Sequence, residues 1–134
     1  MDNNQEILSE VMKYVYRQYA RVTEIERLTR ELETVLNSDD REAAQIILDM
    51  RQREMEEASQ GKRAVEEILE AMDEELKADT KLLLKGELPP ERREPEAEKI
   101  SNISGQMKNT LDRICRIDKV LSKRVAGESS YYKD

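Results

Sequence analysis

Apolar side chains recur at steps of three and four through Ile7, Leu8, Val11, Met12, Val15, Tyr19, Val22, Ile25, Leu28, Leu32, Val35 and Leu36, the spacing of one helical face. This predicts a helix over about 4–36 with a single buried stripe. The pattern halts at Asn37-Ser38-Asp39-Asp40, where Asn37 suits a left-handed conformation and Asp39, three residues before Glu42, opens a capping box. So short a turn makes the next helix antiparallel to the first.

The second apolar row runs through Ile46, Ile47, Met50, Met55, Val65, Ile68, Leu69, Met72, Leu76, Leu82 and Leu83. It predicts one helix over about 40–85, roughly 65 Å long. The row thins at Ala58-Ser59-Gln60-Gly61-Lys62, and Gly61 costs about 1 kcal/mol against alanine within a helix, so a bend is expected there. Gly86, Pro89, Pro90 and Pro95 then interrupt helical hydrogen bonding and predict a mobile loop over 86–95. A third row, Ile100, Ile103, Met107, Leu111, Ile114, Ile117, Leu121 and Val125, predicts a helix over about 96–126, with Gly127 as its stop and 127–134 as a tail. The expected fold is all-α: an elongated antiparallel three-helix bundle, built as a coiled-coil hairpin plus a third helix in one domain.

Composition agrees with that pattern. Of the 134 residues 40% are charged, and Gly 4 and Pro 3 leave too few turn residues for a β-rich fold. The hydrophobic fraction of 37% suits a thin, extended core. A net charge of −7 repels phosphate backbones and anionic lipid heads, which argues against nucleic acid and membrane partners. No apolar run approaches the roughly 20 residues that span a bilayer, and Met1–Glu6 lacks the basic and apolar regions of a signal peptide. The expected location is the cytoplasm.

Charge also varies along the chain. Ten acids face three bases from Glu54 to Asp79, whereas six bases face Asp112 and Asp118 from Ile100 to Ala126. The third helix should therefore pack on the later part of the second. Because the second helix is the longer, the third would start at an overhang and end level with Tyr19 to Val22, leaving the far half of the hairpin partly uncovered. That would put the tail tyrosines, Tyr131 and Tyr132, near Tyr14, Tyr16 and Tyr19.

Catalytic chemistry finds little purchase. Without histidine the chain is no histidine phosphotransfer domain, no histidine-dependent hydrolase and no di-iron bundle of the Glu-x-x-His type. No glycine-rich phosphate loop is present. The acids Glu66, Glu67, Glu70, Asp73 and Glu74 read as a solvated helix face rather than a cation site. Cys115 has Arg113 and Arg116 beside it, yet it flanks the apolar stripe and reads as a small buried thiol. Met50, Met55 and Met72 read as core filling, with an adaptable binding groove as the alternative. No cofactor, metal or enzymatic activity is expected. Adjacent tyrosines in a tail suit an interface, because they offer broad apolar faces with polar tips at low ordering cost.

Two stretches, "ILDMRQREMEEASQGKRAVEEILEAMDEEL" and "LDRICRIDKVLSKRVAGESSYY", together about two fifths of the chain, resemble the central and final helices of flagellar type III export chaperones of the FlgN kind, and less closely those of the FliT kind. The resemblance implies a non-enzymatic cytoplasmic chaperone that keeps hook-filament junction subunits soluble and brings them to the export apparatus. Carried onto this sequence, it implies a client surface of Met107, Leu111, Ile114, Ile117 and Leu121, with Tyr131 or Tyr132 as the docking aromatic at the export gate. The alternative from another class is a coiled-coil tether that pairs with its own copy as a homodimer.

Overall fold

A computed structural model describes the backbone of residues 3–133 and the side chains of residues 3–123. Four helices follow one another: α1 (Asn3–Asn37), α2 (Arg41–Glu70), α3 (Glu74–Leu83) and α4 (Pro95–Lys133). The chain is all-α, as its periodicity predicts, and among the described residues no helix is long and apolar enough to cross a membrane.

The α1–α2 turn uses different residues from those expected. Asp39, not Asn37, takes the left-handed conformation, at φ 60. Asp40 then caps α2, its side chain accepting from the Ala43 amide at 3.1 Å. The shift, two residues for the left-handed position and one for the cap, leaves the hairpin antiparallel, because the turn remains short.

The predicted second helix is two helices. It continues as helix through Gly61 and breaks instead at Ala71–Asp73, where the Ala71 and Met72 amides donate to Ile68 and Leu69 carbonyls and tighten the final turn. Asp73 is extended and accepts from the Leu76 amide at 2.8 Å, capping α3. Glu74 and Glu75 in the next turn suit the positive end of the new helix. Met72, Leu76, Thr80 and Leu83 are all buried, and the break lets α3 bring its part of the row back against α4. At Gly61 the reason for glycine is proximity: a Cβ there would lie 3.0 Å from Cγ of Gln18, so the missing side chain admits α1.

Because α3 folds back, α4 begins level with the first turn of α1 rather than at an overhang. Gln5 donates to Glu96 at 3.0 Å and marks that level. The connecting segment is pinned rather than mobile. Arg92, with a side chain only 10% exposed, donates to Asp79 at 2.7 Å and to Glu94 at 3.1 Å. Burial alone would lower its pKa, but the Asp79 hydrogen bond and the charges of Glu94 and Asp79 outweigh that and raise it. Gly86, at φ 87, turns the chain against α4, where a Cβ would meet the Gly105 Cα at 3.2 Å.

The core has three levels. At the base, Leu8, Val11 and Val15 meet Val65, Leu69, Met72, Leu76, Leu83, Ala97, Ile100 and Ile103. At the waist, Val22 and Ile25 meet Ile114. At the hairpin end, Leu28 and Leu32 meet Ala44, Ile47 and Leu121. Thus α4 runs parallel to α1 along its length and covers the half of the hairpin expected to stand open. The helix also continues through Gly127 instead of stopping there. Leu121 is already at the hairpin end, so the helix beyond it leads away from Tyr14, Tyr16 and Tyr19. The side chains of Tyr131 and Tyr132 lie outside the described residues.

Candidate functional site

The core-facing positions of α2 succeed one another as Ala44, Ile47, Arg51, Glu54, Ala58, Gly61, Val65 and Leu69. Between Ile47 and Val65 none is a large apolar residue, and none in that interval is fully buried. Elsewhere such positions would fill the space towards a neighbouring helix; here α2 and α4 each pack along α1 but hardly approach one another. The seam between them stays open as a groove.

That groove has a volume of about 420 Å³ and is floored by Gln18 and Val22 of α1. One wall is Ala58, Ser59, Lys62, Val65, Glu66 and Leu69 of α2; the other is Met107 and Leu111 of α4, and Leu84 closes the base. Its lining is largely apolar. Leu48 and Met55, which precede Lys62 and Leu69 at intervals of seven on the same α2 face, extend the apolar edge and are 41% and 42% exposed. Leu111 on the opposite wall is 43% exposed. A larger hollow of about 510 Å³ on the α1–α2 seam is walled mostly by long polar side chains, including Arg17, Arg21, Glu57 and Gln60, and Arg21 and Glu57 already pair with each other across it.

Ion pairs hold the groove's walls in place. Arg51 of α2 pairs with Asp118 of α4 at its upper end. Arg21 of α1 reaches Glu54 and Glu57 of α2, each at 3.1 Å. Arg113 of α4 donates to Glu26 of α1 at 2.7 Å, and that hydrogen bond holds the Glu26 carboxyl below its ordinary range. The base of α4 packs on α3, the last part of the predicted second helix, as expected, but among the described residues no ion pair joins the acids from Glu54 to Asp79 to α4. Among the described residues the ion pair joining α2 to α4 has the opposite polarity, with the base on α2.

The residues expected to form a client surface divide. Met107 and Leu111 come together at the groove. Ile114 and Leu121 are 4% and 5% exposed and Ile117 is half-buried; all three are spent on α1 and the hairpin end. Tyr131 and Tyr132 are carried on the α4 backbone, their side chains outside the described residues. Cys115, expected to be buried, is exposed. Met72 is core, but Met50 and Met55 are exposed, because α4 does not lie over that part of α2. Of the groove's α2 edge the sequence singles out Met55 alone, as the alternative to core filling, although the heptad row Leu48, Met55, Lys62 and Leu69 marks the whole wall. Among the described residues no group of three or more acids or cysteines is arranged to hold a metal ion.

No protein-family model matches the chain, and neither a curated protein nor a solved structure does so. What the groove accepts must follow from its own residues.

Proposed function

We propose that this chain is a cytoplasmic, non-enzymatic chaperone that receives an amphipathic helix of another protein in the groove between α2 and α4. The observation that carries this reading is the open apolar seam itself. An open apolar trough with Met107 and the exposed Leu111 along one wall, and the nearly buried Val65 and Leu69 in the other, is the arrangement by which a hairpin takes up a third party's apolar face. The rest of the α4 stripe is engaged by α1, so the client joins the four helices rather than replacing one.

The resemblance of the second and last helical stretches to FlgN-type export chaperones supports hook-filament junction subunits as the clients, with the export apparatus as the second partner. A protein with an acidic surface and a net charge of −7 also suits a holding role, since self-repulsion keeps a loaded complex soluble.

Capture of purified junction subunits on the intact chain, beside Leu111→Asp and a chain truncated after Ala126, tests the reading. Retention by the intact chain and loss of at least tenfold in affinity on Leu111→Asp is the expected result, since the client would lose an apolar wall and bury a carboxylate in its place. Equal retention by Leu111→Asp, or none by any form, overturns it. Loss of an export-apparatus component on truncation alone would assign that contact to the segment bearing Tyr131 and Tyr132.

A further inference from the structure

The groove carries charges that nothing in the fold uses. Lys62 and Glu66 line it one helical turn apart. Among the described residues neither belongs to an ion pair, and neither does Lys108. Lys108 lies three residues before Leu111 and so shares its edge of α4. Its level on α2 follows from the Arg51–Asp118 pair, since α2 and α4 run antiparallel and rise equally per residue. Eleven residues down α2 from Arg51 is Lys62, and eleven back along α4 from Asp118 is Met107, beside Lys108. Two unpaired cations therefore flank the apolar trough at one level, with a lone carboxylate one turn below.

We infer that the segment docking here is an amphipathic helix that carries a carboxylate at the level of Lys62 and Lys108, next to the apolar residue seated against Met107 and Leu111. This rests on the groove being the docking site and adds the chemistry of its occupant. Apolar walls alone hold any amphipathic helix with similar affinity; two cations astride the trough favour one with an acid at that turn and reject one with a base. Glu66 limits the acidity to that turn, because a further carboxylate one turn on would face it. The overall charge of −7 slows the approach of strongly acidic partners, so the preference is for a locally placed acid.

The test uses the full chain and two designed helical peptides of about eighteen residues, a little longer than the three turns of groove. Both carry the same leucine stripe; one has glutamates flanking the central leucine and the other lysines. Two half-exposed ion pairs should favour the glutamate peptide by about tenfold. Lys62→Glu with Lys108→Glu should reverse that preference, while Lys13→Glu, on the exposed face of α1, should leave the ratio unchanged.

Three outcomes overturn the assignment. If Leu111→Asp abolishes binding of both peptides but the double reversal leaves their ratio unaltered, the groove binds helices without reading charge. If Leu111→Asp affects neither peptide, or neither binds at all, the docking site itself fails. A dimer in sedimentation that Leu111→Asp dissolves would give the groove to a second copy of this chain.

Discussion

Arg51 on α2 and Asp118 on α4 form an ion pair across a seam where the two helices otherwise stay apart. Arg51 is 13% exposed and Asp118 35%, so the pair is partly withdrawn from water and loses less to screening than a surface pair. Replacing either partner with alanine should loosen the upper half of α4, with a coupling energy of about 1 kcal/mol in a double-mutant cycle. Amide exchange near Leu121 should accelerate in both single variants. The swapped pair, Arg51→Asp with Asp118→Arg, should recover part of the loss. Unchanged exchange in all three would mean that Leu121 and Ile117 suffice to hold α4.

Glycine substitutions should separate three different reasons for glycine. A Cβ on Gly105 meets nothing within 4 Å, so Gly105→Ala should stabilise the chain by up to about 1 kcal/mol through helix propensity. Gly61→Ala should gain little, since its Cβ displaces Gln18 and strains the 3.3 Å hydrogen bond to the Ala58 carbonyl. Gly86→Ala should destabilise by about 1–2 kcal/mol, because φ 87 is costly for an L residue and the Gly105 backbone cannot yield. Thermal midpoints of the three variants, ranked in that order, are the check.

Arg92→Met should release the segment between α3 and α4. It leaves Asp79 and Glu94 facing each other without the cation that now sits between them, and breaking such a partly buried set costs about 1–2 kcal/mol. The loop would then become open to limited proteolysis near Leu88, which the intact protein should resist.

Acid should undo the α1–α4 clasp. The Arg113 hydrogen bond, joined by Arg30, holds Glu26 below its ordinary value of 4.5, so the unfolded chain takes up the proton more readily. The stabilisation is complete above that value and disappears as pH falls through the lower folded-state pKa. Glu26→Gln should therefore be less stable than the parent at pH 7, and the gap should narrow below about pH 4 in denaturant titrations. A gap of constant size across that range would assign the effect to packing instead.

The helices were legible because an apolar residue every three or four positions specifies a helical face whatever its partner. The third row, read over about 96–126, lies within α4. The thinning of the second row between Met55 and Val65 also points to the place where the core is weak. Less legible was the break at Ala71–Asp73: Asp73 followed by two glutamates is a capping signal, but it lay inside a row whose periodicity continued on both sides. For the groove, Met107 and Leu111, and Met55 as an alternative to core filling, could be named from sequence, whereas the rest of its α2 wall and the diversion of Ile114, Ile117 and Leu121 into the core could not.

Sequence by itself determined the all-α class, the hairpin and the ends of α1, since these follow from interactions within a few residues along the chain. Tertiary structure decided which faces remained free. Folding α3 back moved the start of α4 to the level of Gln5 and laid its stripe on α1; the same stripe on an unbroken rod would have ended at the waist. Whether an apolar residue becomes core or binding surface depends on which helix lies opposite, and that is set by the position of a single helix break rather than by periodicity.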